Sequence, residues 1–320
     1  MTPLAVPVPD VSVIIVNWNT RDLLRNCLQS ILDQTAASHE IIVIDNASRD
    51  GSAAMVAAEF PGVVLIANTD NRGFAGANNQ GLAIARGAHV LLLNPDTIIL
   101  DHAIDKMLGW LGQRPEVGCV GCQVLEAPGV IQQTSFADPG FWDLALVEFG
   151  LLNLAHLFPA LGHPRYIGWD RRSERVVDVV SGMFMLVPRA VLDRVGPLDD
   201  AFFIYAEEAD WCRRIREAGW LCVFAPVAQI IHLDGGSKST AQIKSRMHVQ
   251  LQKSHLIYVR KHSGRLAHAA TRAMYILSAA LRRLAFGVKS LIRRDDDTLA
   301  RIRLASAALA YHLKGQEPVS

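Results

Sequence analysis

The sequence predicts a doubly wound α/β sheet, and three features support this prediction. Between residues 11 and 121, short runs rich in valine, isoleucine and leucine alternate with stretches of helical periodicity. The chain has 320 residues, half of them apolar, which is enough to bury one large core or two smaller ones. Polar residues follow each of the first four apolar runs. Parallel strands joined by crossover helices produce this pattern.

The first four strands are predicted at residues 11–18, 41–45, 63–67 and 90–93. A helix is expected after the first strand, because Thr20 is a suitable N-cap and apolar residues recur at helical spacing from residue 23 to residue 32. A second helix is expected after Ser52. A third is expected near Gly76, with its end close to Gly87.

The alternation loosens after residue 125. Residues 126–175 predict loops with a short helix or two, a kind of segment that commonly covers a site, and residues 176–187 predict a strand. Residues 219–232 form one more apolar run. From residue 265 to 294, basic residues fall within an arc of about 140° and apolar residues lie opposite, which predicts a basic amphipathic helix.

The overall net charge of +1 hides an asymmetry along the chain. Residues 241–320 contain 15 lysines and arginines against four acidic residues, a net charge of +11, whereas residues 1–240 have a net charge of −10. We therefore expect one functional domain over residues 1–240 and a basic helical extension over residues 241–320. Nucleic-acid binding is not expected, because no known recognition module accompanies the basic residues.

Cysteine usage and the amino-terminal residues predict a cytosolic protein. The five cysteines are an odd number set in apolar runs, which indicates reduced, buried thiols. Cys119 and Cys122 form a C-x-x-C without a second pair to complete a zinc site. The first nine residues have no basic region and three prolines, so no signal peptide is expected. No apolar stretch is long enough to predict a spanning helix.

Polar residues gather at the carboxyl ends of the predicted strands, where α/β sheets bind ligands. No P-loop and no G-x-G-x-x-G follows a strand, which excludes the common kinases and weakens a dehydrogenase reading. Asp45 either accepts hydrogen bonds from a base or ribose or belongs to an Asp-Asn turn or N-cap. Asp96, just past a buried strand, is placed to reach a divalent cation that bridges two phosphates.

Three carboxylates, Glu207, Glu208 and Asp210, open a predicted helix directly after an aromatic stretch. Carboxylates in apolar surroundings repel one another and resist desolvation, so at least one should have a raised pKa. Such a carboxylate suits a general base. The alternative is an acidic first turn that complements the helix dipole, with Arg213 and Arg214 as solvated partners.

Six motifs occur in the order found in one known family: residues 11–19, 45–52, 71–81, 92–96, 181–182 and 207–210. On these motifs the chain resembles family 2 glycosyltransferases, and bacterial rhamnosyltransferase-like members most closely, over residues 11–237. The resemblance implies the Rossmann-like GT-A fold, followed here by a C-terminal helical extension. It also implies inverting, metal-dependent transfer of a sugar, such as rhamnose from dTDP-rhamnose, to a cell-surface polysaccharide or lipid-linked glycan.

The resemblance assigns roles to individual residues. The nucleotide sugar would contact Asn17, Asn19, Asp45, Asn71, Gly73, Asn78, Asn94, Asp96, Ser181 and Gly182. Asp96 would bind Mg²⁺ or Mn²⁺, with His232 as a further ligand. Glu208 would be the catalytic base, with Asp210 as the reserve candidate and Glu207 beside them.

The chain departs from the family pattern at two of these positions. Asn94 replaces the first aspartate of the family's D-x-D, a replacement shared with rhamnosyltransferase-like members. Glu208 stands where the family more often has aspartate, and its longer side chain leaves Asp210 open as the base.

Two other functions remain open at this point. A sugar-phosphate nucleotidyltransferase needs a glycine-rich loop with basic residues after the first strand, where this chain has Asn17-Trp18-Asn19-Thr20. A non-catalytic membrane-surface scaffold would be marked by loss of Asp96 or of the carboxylates at 207–210, and all are present.

The amphipathic helix predicts an anionic membrane surface as a partner through residues 265–294. A cytoplasmic protein would then be peripheral on the inner face of the cell membrane, where a soluble donor meets a lipid-linked acceptor. The alternative is that this helix packs on the protein's own acidic body.

Overall fold

The computed structural model describes residues 7–127, 129–233, 244–293 and 295–315. Residues 234–237 of the resembling region, and Arg294 of the predicted amphipathic helix, lie outside these ranges. The described residues divide into two compact units. Unit 1 contains those within 1–136, 169–200 and 207–235, and unit 2 those within 137–168, 201–206 and 236–320.

Unit 1 is built on a mixed β-sheet. In chain order the strands are β1 (Val11–Asn17), β2 (His39–Asp45), β3 (Val64–Ala67), β4 (His89–Leu93), β5 (Thr97–Ile99), β6 (Val117–Ala127), β7 (Val130–Ile131), β8 (Ser135–Phe136), β9 (Arg175–Val176), β10 (Val179–Val180), β11 (Phe184–Pro188) and β12 (Leu221–His232). Within the described residues, the sheet order is β3-β2-β1-β4-β11-β6-β12-β5, with β7 on β6 and β9 on β12. Strands β8 and β10 pair separately.

The helices of unit 1 are α1 (Arg21–Gln34), α2 (Ser52–Glu59), α3 (Gly73–Ile84), α4 (Ala103–Leu111), α6 (Arg189–Val195) and α7 (Glu207–Glu217). Those of unit 2 are α5 (Phe141–Glu148), α8 (Lys244–Ile292) and α9 (Asp296–Lys314), with 3₁₀ turns at Leu151–Leu154 and Pro159–Arg165. This mixture of strands and covering helices confirms the predicted α/β class.

Two predicted boundaries differ from the structure. Helix α3 begins at Gly73 rather than near Gly76, and the Asn71 side chain accepts the Gly73 amide at 2.9 Å in an Asx turn that leads the chain into the helix. Residues 176–187 form three short strand segments instead of one strand. The chain turns through Ser181 and Gly182, so β10 and β11 pair with different strands.

Both faces of strand β1 are buried, as its unbroken apolar run predicts. Val13 and Ile15 belong to the main hydrophobic core, which also contains Leu24 and Leu28 of α1. Ile14 points to the opposite face, where it meets α3 at Gly81.

Gly81 allows α3 to lie close to the sheet, and replacing it with alanine is expected to destabilise unit 1. A Cβ at this position would lie 2.6 Å from Cγ2 of Ile14 and 3.0 Å from Cδ1 of Ile44. Relieving this overlap should cost about 1–3 kcal/mol of unfolding free energy. Chemical denaturation measures the loss.

Gly76 is the matched control in the same helix, because a Cβ there would make only an ordinary contact of 3.5 Å with Arg72. Gly76→Ala should preserve stability or raise it by about 0.5–1 kcal/mol. Equal losses for the two alanine variants would contradict the packing explanation.

All five cysteines are buried and free. Cys119 and Cys122 do not face each other as a pair would. The sulfur of Cys119 lies within 4.8 Å of those of Cys212 and Cys222, whereas Cys122 belongs to the main core. The thiols thus pack as small apolar side chains.

Unit 2 is dominated by α8 and α9, which pack along each other. Helix α8 is broken at Gly264, whose φ is 83°, so its second half starts at the residue where the amphipathic helix was predicted. The guanidinium of Arg272 donates to the carbonyl of His312, and the Tyr275 ring stacks on the His312 ring. Among the described residues, no helix is both long enough and apolar enough to cross a membrane.

Candidate active site

The sheet topology brings the predicted site residues to one edge of unit 1. Strands β1, β2, β3 and β4 run parallel, and β11 runs antiparallel to β4. Since β6 is antiparallel to β11 and parallel to β12, the end of β12 lies at the same edge as the end of β4. Ser181 and Gly182 precede β11 and therefore also lie there.

A cleft of about 550 Å³ opens beyond the ends of β1, β2 and β3. Of the predicted residues, Asn19 and Asn71 line it. The sequence analysis did not single out its other polar and aromatic lining residues, among them Trp18, Ser48 and Asn68. The cleft thus offers an aromatic ring together with amide and hydroxyl groups, a combination that suits a flat, polar ligand.

Asn17 and Asp45 close the ends of neighbouring strands β1 and β2. The Asn17 amide donates to the Asp45 carboxylate at 2.9 Å and to the Ser48 hydroxyl at 3.1 Å. The second oxygen of Asp45 accepts the backbone amide of Ser48 at 3.1 Å. Asp45 is buried, and this contact positions the loop that lines the cleft.

A network of side-chain amides shapes the loop before α3. The amide of Asn46 donates to Asn71 Oδ1 at 2.8 Å, and Asn46 Oδ1 accepts the backbone N–H of Arg72. Gly73 has a φ of 74°, a conformation that favours glycine. Asn78 does not line the cleft, because it is buried in α3 and donates to the Phe74 carbonyl at 2.9 Å.

Asp96 and His232 meet at the start of β5 and the end of β12. Oδ2 of Asp96 lies 3.1 Å from Nε2 of His232, while Oδ1 of Asp96 is buried without a hydrogen-bond partner. Nδ1 of His232 lies 3.0 Å from Oε1 of Gln132. In the tautomer whose Nδ1–H donates to Gln132, Nε2 carries the lone pair that a metal ion would accept.

These groups fit a divalent cation. Carboxylate oxygens are common ligands of Mn²⁺ and Mg²⁺, whereas an imidazole nitrogen favours a transition metal such as Mn²⁺. A cation would satisfy both the orphaned oxygen and a lone pair on Nε2. Gln132 fixes the ring orientation and tautomer of His232, which outer-shell partners of metal ligands commonly do. The backbone N–H of Leu233 also donates to the Asp96 carbonyl at 2.8 Å, which holds the two segments together.

Glu207 and Glu208 begin α7 after two residues in the left-handed region, Tyr205 at φ 71° and Ala206 at φ 64°. Non-glycine residues adopt this conformation at an energetic cost that is common at functional sites. Oε2 of both glutamates is buried without a hydrogen-bond partner. Burial, with the neighbouring Glu208 carboxylate as a smaller cause, raises the pKa of Glu207 well above its usual range. Burial also raises the pKa of Glu208 to about 7.

Asp210, three residues after Glu207 on α7, has a basic partner of its own. It is fully buried, and its carboxylate accepts from Nε of Arg214 at 2.8 Å. The same guanidinium donates to the carbonyls of Val195 and Pro197, so the ion pair fastens α7 to the end of α6. A carboxylate already neutralised by a guanidinium is a poor base, and the sequence spacing of four residues was the available signal of this pair.

The region that contains the six motifs is matched by a family model. The model described as "Glycosyltransferase like family 2" matches residues 9–250 of the chain. The chain belongs to this family.

Curated relatives of this glycosyltransferase act in glycan biosynthesis according to their names. It is 26% identical over 266 residues to an N-acetylglucosaminyl-diphospho-decaprenol L-rhamnosyltransferase of Mycobacterium tuberculosis, covering 79% of this chain and 85% of the relative. It is also 26% identical to a low-salt glycan biosynthesis hexosyltransferase of Haloferax volcanii, covering 65% of this chain and 62% of the relative.

Solved structures with the same architecture confirm the GT-A fold. A mannosyltransferase from Pyrobaculum calidifontis, in complex with GDP-Man and Mn²⁺, superposes with a TM-score of 0.55 at 19% identity, covering 97% of this chain and 88% of that one. The enzyme GalNAc-T7, with UDP, GalNAc and Mn²⁺, gives a TM-score of 0.53 at 16% identity, covering 71% and 43%.

Three further predicted positions of the glycosyltransferase, Ser181, Gly182 and Asn94, lie in the turns that follow β10 and β4. The backbone of Val180, next to Ser181, donates to the sulfur of Cys212, one turn after Glu208 on α7. This contact places the Ser181–Gly182 turn against α7. A Cβ on Gly182 would lie 3.1 Å from Cζ of Phe74, so here the missing side chain admits a neighbouring ring. Asn94 follows β4, and its backbone N–H donates to the Met183 carbonyl at 3.2 Å.

Proposed function

We propose that this glycosyltransferase transfers a sugar, with inversion, from a nucleoside-diphosphate donor to a hydroxyl of a cell-surface polysaccharide or lipid-linked glycan. The main support is the contact between Asp96 and His232 with its unsatisfied carboxylate oxygen. A cation-ready carboxylate at the carboxyl edge of a nucleotide-binding sheet suits a diphosphate leaving group.

The nucleotide is assigned to the cleft beyond β1, β2 and β3. Trp18 offers a ring for stacking on the base, and Asn19 and Asn71 line the same cleft. Asn17 and Asp45 hold the loops in place. We also assign to Asp45 a contact with the nucleobase, which requires its hydrogen bond with Ser48 to rearrange. Asn94, Ser181 and Gly182 border the path toward the sugar.

Asp96 and His232 would hold Mg²⁺ or Mn²⁺, with Gln132 orienting the histidine. The bound cation supplies charge stabilisation for the departing nucleoside diphosphate. The chain's own contribution is to keep the Asp96 carboxylate buried, with Oδ2 next to His232 and Oδ1 without a hydrogen-bond partner.

Glu208 is the proposed general base. Its carboxylate takes the proton of the acceptor hydroxyl as the acceptor oxygen bonds to the anomeric carbon. The bond from that carbon to the phosphate oxygen breaks on the opposite face, and the nucleoside diphosphate leaves with its electron pair. A pKa of about 7 matches this task near neutrality, because the group is substantially ionised yet still basic.

The donor sugar and the acceptor are proposed from the relatives' names. Rhamnose from dTDP-rhamnose is the first candidate donor, and a diphosphate-linked lipid carrying a sugar is the first candidate acceptor. Such an acceptor lies at a membrane, so we place the protein at the cytoplasmic face of the cell membrane, in peripheral contact through residues 265–294.

The test is release of nucleoside diphosphate from a panel of nucleotide sugars that includes dTDP-rhamnose, with Mn²⁺ or Mg²⁺ present and membrane extract as the acceptor source. Metal-dependent release from one donor would support the transferase and name the sugar. Formation of a nucleotide sugar from a sugar phosphate and a nucleoside triphosphate would instead indicate a nucleotidyltransferase. Absence of turnover and of donor binding would favour a non-catalytic scaffold.

Gln132 is expected to act as a positioning residue for the metal site. Replacing it with alanine removes the partner of His232 Nδ1, so the affinity for Mn²⁺ should fall by roughly 10–100-fold. Titration of Mn²⁺ against protein thermal stability measures this, and activity should recover at higher Mn²⁺ concentration. Gln29→Ala, which removes an exposed amide bonded to Asp33, is the control. Unchanged Mn²⁺ affinity in Gln132→Ala would remove this residue from the site.

A further inference from the structure

The second half of α8 carries an exposed apolar stripe. Its residues recur every three or four positions and therefore share one face of the helix. They are Leu277, Leu281, Leu284, Val288, Leu291 and Ile292, all of which are exposed. The exposure rises toward the end of the helix, where that of Ile292 reaches 89%. Exposed apolar patches of this size mark contact with a partner or a membrane.

A second group of exposed apolar side chains lies in unit 2 between residues 142 and 158. It consists of Trp142, Val147, Phe149, Leu151, Leu154, Leu157 and Phe158. Trp142 is 76% exposed, an unusual position for an indole ring in a globular protein. The sequence analysis assigned this segment only to loops and short helices of the kind that commonly cover a site.

Contacts at Glu148 join this segment to the stripe-bearing helix. Glu148 ends α5, and its carboxylate accepts from the Ser278 hydroxyl at 2.9 Å and pairs with Arg282 at 3.1 Å. Ser278 and Arg282 are each one residue from a stripe leucine. The two exposed apolar groups therefore belong to elements that contact each other within unit 2.

The charges of this region favour an anionic partner. Residues 265–293 contain six lysines and arginines and no acidic residue. The acidic groups of α5 have partners within unit 2, since Glu148 pairs with Arg282 and Oδ1 of Asp143 lies 3.0 Å from Nδ1 of His163. Arg282 is paired with Glu148 and Arg293 with Asp295, and pairing this face with a second copy of itself would bring the other cations of the two helices together.

We infer that residues 141–158 and the apolar stripe of α8 form one docking surface for an anionic lipid bilayer, in which Trp142 and Phe158 enter the headgroup region. Leucines fill the lipid boundary, and flanking cations such as Arg283 and Lys289 meet the anionic headgroups. This inference extends the proposed membrane contact of residues 265–294 to a second segment. It rests on the proposed function only for the identity of the cell membrane.

The test is flotation of the full chain with vesicles of phosphatidylglycerol and phosphatidylcholine. The double substitution Trp142→Ser with Phe158→Ser should lower vesicle partitioning by at least about tenfold, and so should Leu284→Gln with Leu291→Gln. Vesicles of phosphatidylcholine alone should bind the native chain much more weakly. Leu32→Gln and Leu313→Gln replace exposed leucines outside the surface and should bind like the native chain.

Tryptophan quenching by brominated phosphatidylglycerol tests the depth of Trp142 directly. The native chain should be quenched, and Trp142→Phe should lose most of that quenching while it still binds vesicles, although five other tryptophans remain. Full quenching in Trp142→Phe, or unchanged flotation of the serine double variant, would overturn the role of residues 141–158.

Two further outcomes would overturn the bilayer as the partner. One is absence of flotation by the native chain. The other is a dimer, seen by light scattering, that the Leu284→Gln and Leu291→Gln variant dissolves while vesicle binding stays intact. These assays need no donor sugar. Nucleoside diphosphate release in vesicle-free solution tests the transferase separately, and each surface variant should retain its native circular dichroism and that release.

Discussion

Glu208→Gln is expected to lower kcat by roughly two to four orders of magnitude, because the amide cannot accept the acceptor proton. Donor affinity should change little, since we assign Glu208 to the acceptor hydroxyl and not to the nucleotide. Steady-state kinetics of nucleoside diphosphate release, together with donor binding by calorimetry, separates these two quantities.

The pH profile gives a second readout of the same group. A general base works when it is deprotonated, so kcat of the native protein should fall as the pH drops below about 7, the pKa to which burial raises Glu208. Above this value kcat should level off. The residual activity of Glu208→Gln should lack this acid limb.

Glu217→Gln provides the control on the same helix. Glu217 lies at the opposite end of α7 from Glu208, is exposed and pairs with Arg213. It should keep native kinetics. If Glu207→Gln abolished both activity and the acid limb while Glu208→Gln kept them, the base would be Glu207. If neither substitution changed the pH profile, the base assignment to this helix would be refuted.

Local chemistry explains why much of the sheet was predictable. Strands β1 and β4 are continuous apolar runs, and strands buried on both faces tolerate little else. Helix and strand boundaries that depend on side-chain contacts were harder to predict from the sequence. The early start of α3 follows the Asx turn between Asn71 and Gly73, and at Gly182 the Phe74 ring from another part of the chain leaves little room for a side chain.

The candidate site likewise contains residues that the sequence predicted and residues that it did not. Motifs predicted Asp96 and His232, and the structure brings them into contact. Gln132 escaped notice because it comes from an irregular segment 100 residues away from His232, with no periodicity or motif of its own. The sequence left Asp210 open as a candidate base. The folded helix shows that Arg214 pairs with Asp210 and not with the other carboxylates of the first turn.

Asp96→Asn is expected to reduce kcat/KM by about 10³-fold, because a neutral amide holds a divalent cation poorly and several kcal/mol of leaving-group stabilisation would be lost. Mn²⁺ affinity, measured by titration, should fall together with activity. Asp101→Asn removes an exposed carboxylate that pairs with Lys106 only five residues further on, and should leave both quantities unchanged.

Thermal unfolding separates a metal ligand from a structural residue at this position. In metal-free protein, Asp96 has a buried oxygen without a partner, so Asp96→Asn should keep the Tm or raise it. Mn²⁺ should raise the Tm of the native chain, because a ligand that binds only the folded state stabilises it, and should raise that of the variant much less. A variant with a lower metal-free Tm and an undiminished Mn²⁺ shift would make Asp96 a structural residue. An unchanged or higher metal-free Tm with a diminished Mn²⁺ shift follows if the buried Oδ1 of Asp96 is kept for a cation at the expense of stability.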